Sequence, residues 1–164
     1  MKRKIAIILV IVSILCIGVG VWFYLNPGPV IFKITLANGD KMNITYEEFD
    51  KEYTMKNNLE IFNGAKFTFK DKVKSTEDAS IDATPGDTED GSFIRFESGM
   101  TLFVSKMNRA KHAEIMELLK VGKTVKVTTY YTEKSNSGSF TIPTLMPYMD
   151  YNNLDYDYSK LIIE

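Results

Sequence analysis

The chain has 164 residues, of which 45% are hydrophobic and 25% are charged, with 20 basic and 21 acidic side chains. This is the composition of a globular protein, and it excludes a wholly disordered, a collagen-like and a disulfide-scaffold protein. Three basic residues precede an uncharged segment, residues 5–25, so residues 26–164 hold 17 basic and 21 acidic side chains, a formal net charge of −4.

Residues 5–25 form an apolar run that is long enough to cross a bilayer. A helix of these 21 residues would span about 31 Å, close to the ~30 Å thickness of the hydrocarbon core. Lys2, Arg3 and Lys4 precede the run, which predicts a cytoplasmic N-terminus by the positive-inside rule. We therefore predict a single-pass anchor in a plasma membrane, with the rest of the chain extracytoplasmic.

Two alternatives for this segment stay open. A cleaved signal peptide has a shorter apolar region before a small-residue site, whereas the residues after Gly18 and Gly20 remain apolar. Cys16 follows Leu15, where bacterial lipoprotein signals usually have a small residue, so a cysteine packed in a membrane helix is favoured over lipidation. No cysteine occurs after it, which favours a bacterial cell envelope over a eukaryotic ectodomain.

Residues 26–45 are predicted to form a linker and a β-hairpin. The linker begins with an Asn-Pro-Gly-Pro run that ends the apolar helix. Asn38-Gly39 separates two alternating runs, residues 30–36 and 41–45, and this is the strongest short-range signal for a hairpin.

The third predicted region, residues 46–164, is the extracytoplasmic domain. Thr45 and Glu48 have the spacing of a capping box, which predicts a helix over residues 46–56. Residues 65–73 alternate between apolar and polar side chains, which predicts the first strand of a sheet.

The order of the remaining elements indicates the fold class. Residues 75–91 contain six acidic side chains and one Pro-Gly, and we predict a mobile loop that is too polar to pack. Five elements follow: strands over 92–97 and 101–105, a helix over 110–120, a strand over 124–131 and a closing strand over 158–163. We therefore predict a mainly β, OB-like five-stranded barrel with its helix between strands 3 and 4.

Several short motifs along the domain support this fold class. They are Asn63-Gly64-Ala65-Lys66 before the first barrel strand, the turn Leu119-Lys120-Val121-Gly122 and the strand Val125-Lys126-Val127. With the leading helix, they make residues 45–163 resemble the bacterial OB-fold family called tRNA-anticodon-like. The family tends to carry a glycine where strands one and four bend, and this chain has Asp71 and Thr129 instead. The resemblance implies an OB fold and an anchored envelope location, and it implies no particular chemistry.

No catalytic set is recognisable in the sequence. The only cysteine lies in the apolar segment, and the only histidine, His112, lies at the start of a predicted helix, where we expect a solvated residue. Phosphate loops, zinc-type Cys/His spacings and serine-centred elbows are missing from the sequence. The acidic residues between 77 and 90 lack the alternating spacing of a calcium loop. We expect no enzyme activity, no cofactor and no metal.

A row of lysines along the first barrel strand is one candidate binding site. Four lysines alternate along it: Lys66, Lys70, Lys72 and Lys74. Their ammonium groups would project from one face about 7 Å apart, in the sheet region where OB folds bind oligonucleotides and oligosaccharides. Phe93 and Arg95, on the next strand, would share a face and add a stacking surface. The alternative is that these lysines only solvate an outer strand and discourage edge pairing.

A Tyr- and Met-rich segment, residues 141–158, is the second candidate, because such residues are favoured at protein contacts. Tyr148, Tyr151 and Leu154 are the candidate contacts to an envelope protein, and the alternative is that the segment packs as a lid on the barrel. We predict a membrane-tethered scaffold module that acts through protein contacts, with a binder of polyanionic envelope polymer as the alternative. The net negative charge and the extracytoplasmic location argue against nucleic acid as the partner.

Overall fold

A computed structural model describes residues 28–51, 59–84, 87–131, 144–145, 148–150 and 155–164. Strands dominate these residues, so the prediction of a mainly β protein is confirmed. The predicted membrane segment, residues 5–25, lies outside the described residues. Among those described, no helix has the length and apolar character needed to cross a membrane.

Ten strands and two short helices make up the described part of the chain. The strands are β1 (Ile31–Thr35), β2 (Lys41–Thr45), β3 (Lys66–Thr84), β4 (Asp87–Phe96), β5 (Thr101–Ser105), β6 (Thr124–Tyr130), β7 (Thr144–Leu145), β8 (Tyr148–Asp150), β9 (Asp155–Asp157) and β10 (Ile162–Ile163). The helices are α1 (Tyr46–Phe49) and α2 (Arg109–Leu118), and 3-10 turns cover Leu59–Phe62 and Tyr158–Lys160. The main sheet has the order β10-β6-β3-β4-β5-β7, with β1 added to β3 and β2 added to β1, while β8 pairs with β9.

The hairpin predicted around Asn38-Gly39 is confirmed. β1 and β2 are antiparallel with Thr35 opposite Lys41, and the Leu36 N–H donates to the Asp40 carbonyl at 2.8 Å. Gly39 has a φ of 93°, a left-handed conformation that glycine adopts without steric cost. The connection is therefore a three-residue loop that ends in a left-handed glycine.

The capping box predicted before α1 is also confirmed. The Glu48 N–H donates to Thr45 Oγ1 at 3.1 Å, and the Thr45 N–H donates to Glu48 Oε2 at 2.7 Å. These bonds satisfy two backbone donors at the helix start. The predicted continuation to residue 56 reaches residues 52–58, which lie outside the described part of the chain.

The prediction of a mobile loop over residues 75–91 is wrong. β3 continues to Thr84 and pairs with β4 from Val73 opposite Phe96 to Thr84 opposite Asp87. We call this two-stranded extension, residues 75–84 and 87–95, the polar ribbon. The strand ladder satisfies its backbone groups, and polar cross-strand contacts such as Ser80 Oγ to Asp90 Oδ1 at 2.5 Å add to the pairing.

A bulge at Lys74 bends β3 and divides it between two partners. Residues 66–72 pair with β6, whereas the pairing with β4 starts at Val73 and shifts register before Ser75. Asp71 points inward beside the bend and is only 5% exposed. Its carboxylate accepts the backbone N–H of Ser98 at 3.0 Å, which ties the turn between β4 and β5 to β3.

Aromatic rings fill the core between the two halves of the sheet. Phe69 lies at the centre, with its ring centroid 5.0 Å from that of Phe32 and 5.1 Å from that of Phe96. Phe67 makes an edge contact with Phe49 of α1 at 5.7 Å. Inward residues of β3 thus join the hairpin, α1 and β4 in one hydrophobic core.

Helix α2 packs on this core through a narrow face. Asn108 caps the helix by accepting the Lys111 N–H at 3.1 Å, and Ile115 and Leu119 are buried. Leu118 is 38% exposed. Ile115 and Leu119 are four residues apart and define the face, while Leu118 lies to one side of it.

The closing strand is shorter than predicted. Residues 158–160 form a 3-10 turn, because Asp157 Oδ1 accepts the Ser159 N–H at 3.1 Å and caps it. Only β10 is a strand, and it pairs with β6 with Ile162 opposite Thr128. The other end of the sheet is β7, which runs parallel to β5.

Replacing Asp71 by Ala is expected to lower the free energy of unfolding by about 1–3 kcal/mol, because the half-buried Ser98 N–H loses its acceptor. Equilibrium denaturation measures the loss. Glu117→Ala, which removes an exposed carboxylate paired only with Lys120, is expected to stay within about 0.5 kcal/mol of the parent. Equal losses in the two variants would contradict the role of Asp71 at the bend.

Candidate functional site

Exposed lysines cluster on one side of the sheet, the outward side of the β1–β2 hairpin and of strands β3 and β6. On β3, Phe67, Phe69, Asp71 and Val73 are buried, so the residues that alternate with them face outward. Alternation on β1, β2 and β6 brings further cations to the same side. The exposed lysines of this surface, which we call the lysine face, are Lys33, Lys41, Lys66, Lys70, Lys72 and Lys126.

Two threonines lie at the centre of the lysine face. Thr68 is opposite Lys33 on one side and opposite Thr128 on the other, and the two threonine hydroxyl oxygens are 3.0 Å apart. Lys66 and Lys70 flank Thr68 along β3, each about 7 Å away on the same side. A pair of hydroxyl groups is thus surrounded by ammonium groups from two strands.

Several of these charges are not neutralised. Lys126 contacts Glu164 at 2.5 Å and Lys72 contacts Glu97 at 2.9 Å, both at exposed positions. Lys33, Lys41, Lys66 and Lys70 form no ion pair with any carboxylate that the structure describes.

Two lysines of the face are held directly against each other. Lys70 is opposite Lys126 in the pairing of β3 with β6. Like charges at opposite positions of antiparallel strands destabilise the sheet. This pair therefore adds no attractive cross-strand contact to the sheet, and Lys126 is paired with Glu164 instead.

The other residues of the predicted strand site lie elsewhere. Lys74 is the bulge residue and is exposed. Phe93 is half-buried, with its ring centroid 5.1 Å from that of Phe103, and Arg95 contacts Glu77 at 3.3 Å. Phe93 and Arg95 belong to the polar ribbon, so the structure joins three of the six predicted residues, Lys66, Lys70 and Lys72, into one face.

Lys33 and Lys126 were not among the predicted site residues. Both occupy outward positions of alternating strands that were predicted from the sequence. Their proximity to β3 follows only from the pairing of β1 and β6 with that strand. The alternation of each strand thus indicates that both side chains face outward, but it does not indicate that they lie beside β3.

The predicted protein contacts lie largely outside the described residues. Tyr148 begins β8 and pairs with Asp157 of β9, while Tyr151 and Leu154 fall in the connection that the structure does not describe. The backbone around them is a small antiparallel sheet of its own.

A second polar cluster connects the polar ribbon to α2. Ser92 is 1% exposed, and its hydroxyl donates to Asp78 Oδ1 at 2.7 Å. His112 Nε2 is 2.9 Å from the Ser92 hydroxyl oxygen, and Lys106 Nζ donates to Asp78 Oδ2 at 2.6 Å. His112 is half-buried, so the expectation of a solvated helix residue is wrong.

The direction of these hydrogen bonds determines what the cluster can do. A carboxylate only accepts, so the single hydroxyl hydrogen of Ser92 goes to Asp78 and His112 Nε2 must donate. A serine nucleophile needs the opposite arrangement, with its hydroxyl donating to the imidazole. The cluster therefore fixes the ribbon against α2, and it does not activate Ser92.

Burial, and then the charge of Lys106, lower the pKa of His112, and Asp78 opposes this shift. The hydrogen bond from Lys106, followed by that from Ser92, lowers the pKa of Asp78. No group of three or more His, Cys, Asp or Glu side chains in the described ranges is arranged to hold a metal ion.

We expect the free energy of unfolding to fall as the pH drops from about 7.5 to 5.5. The unfolded chain binds a proton at His112 more readily than the folded chain. The stability that neutral His112 contributes is therefore fully present above the pKa of the unfolded chain and is lost as the pH falls towards the pKa of the folded chain. His112→Gln keeps an amide donor for Ser92 and removes the titration. Chemical denaturation at the two pH values should show a smaller fall in this variant, and an equal fall would contradict the assignment.

No family model matches the chain, and neither a curated protein nor a solved structure shows significant similarity to it. The resemblance to the tRNA-anticodon-like family therefore stays a prediction.

Proposed function

We propose that this chain is an OB-like binding module, tethered to the outer face of a bacterial plasma membrane, which acts by binding and not by catalysis. The connectivity supports the OB-like assignment. β3 serves as a bent first strand shared by β4 and β6, and α2 lies between the third and fourth strands, β5 and β6. Both ends of the main sheet, β7 and β10, come from the C-terminal segment, as expected for a closing strand in two pieces.

The function that the geometry supports best is binding of a polyanion on the lysine face. One observation carries it: Lys33, Lys66 and Lys70 lack ion-pair partners in the described structure and lie around the half-buried Thr68, whose hydroxyl contacts that of the buried Thr128. Ammonium and hydroxyl groups are the donors that phosphate and other oxyanions accept. The face is a broad, exposed side of a sheet, which suits a polymer with repeated charges.

The overall charge of the domain makes this binding local. A net charge of −4 over residues 26–164 repels a polyanion at long range, while screening limits each interaction to about 10 Å at 0.1 M salt. Attraction therefore depends on close contact with the lysine face. Added salt is therefore expected to weaken the binding.

Reversing two charges of the face is expected to weaken polyanion binding at least about tenfold, because it replaces two attractive contacts by repulsive ones. The variant is Lys33→Glu with Lys70→Glu, in the full chain in mild detergent, and the probe is labelled inorganic polyphosphate measured by fluorescence anisotropy. Arg109→Glu with Lys120→Glu changes the net charge equally on exposed positions of α2 and just after it. The polyphosphate affinity of this control variant should stay within about twofold of that of the parent.

Lys70→Thr separates binding from folding. It removes the repulsion with Lys126, so thermal stability should be unchanged or higher while polyphosphate binding weakens. Parent-like binding in both face variants, or an equal loss in the α2 control, would overturn the proposed function.

A second candidate is protein contact through the hairpin of β8 and β9. Among the described residues these strands pair only with each other, outside the main sheet. Changing Tyr148, Tyr151 and Leu154 together to serine should remove in-cell crosslinks from residues 141–158 to a stoichiometric envelope protein, because it removes the apolar contact surface. Unchanged crosslinks in a variant with parent stability would contradict this candidate.

A further inference from the structure

The lysine face begins close in sequence to the predicted membrane segment. That segment ends at Leu25, and β1 starts at Ile31. Six residue steps of extended chain reach at most about 21 Å. The N-terminal end of β1, which carries Ile31 and Lys33 on the lysine face, therefore lies within that distance of the bilayer surface if the segment spans it.

Two exposed aliphatic side chains accompany the lysines. Ile31 is 43% exposed and Ile162 is 47% exposed. Ile31 lies on the β1 side of β3, and Ile162 lies opposite Thr128 beyond β6. Lysines with aliphatic neighbours suit the boundary of a bilayer, where apolar side chains enter between headgroups and ammonium groups stay among the phosphates.

The charge of the rest of the domain favours one orientation. The polar ribbon carries six acidic residues and one basic residue, Arg95. The bulge at Lys74 separates this acidic ribbon from the lysine face. An anionic surface attracts the face and repels the ribbon, so it would orient the domain with the ribbon directed away.

We propose that the lysine face docks on the anionic lipid headgroups of the bilayer that the chain's own N-terminal segment is predicted to span. This inference rests on the tether and on the anion-binding face of the proposed function. Docking covers Thr68 and the lysines around it. The bilayer and a soluble polyanion then compete for one surface, and polyphosphate binds more weakly to the chain in anionic bilayers than in detergent.

The test uses the full chain in nanodiscs of zwitterionic lipid, with or without anionic lipid, in a Cys16→Ser background. A fluorophore is attached at Asn43→Cys, an exposed position opposite Lys33 on the lysine face, or at Thr88→Cys on the exposed polar ribbon. Lipids with a nitroxide headgroup quench a fluorophore only at short range. We expect quenching at position 43 in anionic discs alone, reversed by salt, and none at position 88.

Charge reversal distinguishes docking from tethering. Lys33→Glu with Lys70→Glu should abolish the quenching at position 43, while Arg109→Glu with Lys120→Glu should leave it unchanged. Equal quenching in neutral and anionic discs, or none at position 43, would overturn the docking, and a chain that does not enter the discs would overturn the tether. Polyphosphate binding in detergent is measured separately, so the proposed function can hold when docking fails.

Discussion

The bend of β3 is the constraint on which the rest of the structure depends. One strand of 19 residues serves two sets of partners, because the bulge at Lys74 redirects it from β1 and β6 to β4. The bend is held on both sides: the Val73 N–H donates to the Lys123 carbonyl at 2.9 Å, and Asp71 accepts the Ser98 N–H. A straight strand could not pack Phe69 against both Phe32 and Phe96.

The same bend separates the charges of the domain. Before it, the outward positions of β3 are lysines except for Thr68, and after it the ribbon is acidic. A domain with a small net charge thus has one strongly basic side, on which Lys70 and Lys126 lie opposite each other in the sheet. Local charge, rather than the total, decides which partner such a surface attracts.

Elements with local signals were predictable from the sequence. Asn38-Gly39 specified a turn, Thr45 with Glu48 specified a helix start, and alternation specified the strand at residues 124–131, which is β6. The strands over residues 75–91 were not predicted because polar side chains dominate this part of the polar ribbon, so the periodicity of hydrophobic residues does not reveal them. His112 was misjudged for a related reason, since its burial depends on Ser92, a ribbon residue distant in sequence. Lys33 and Lys126 joined the candidate site only through strand pairing, which no local pattern specifies.

The most direct test of the central claim, that the lysine face is the binding surface, is residue-resolved mapping of the bound polyanion. Amide chemical shifts of the full chain in detergent micelles, recorded by NMR during a titration with inorganic polyphosphate, report contact at each residue. Changes are expected at Lys33, Thr68, Lys70 and Thr128, with α2 and the polar ribbon unaffected. Changes confined to the ribbon or to residues 144–157, with the lysine face unaffected, would contradict it.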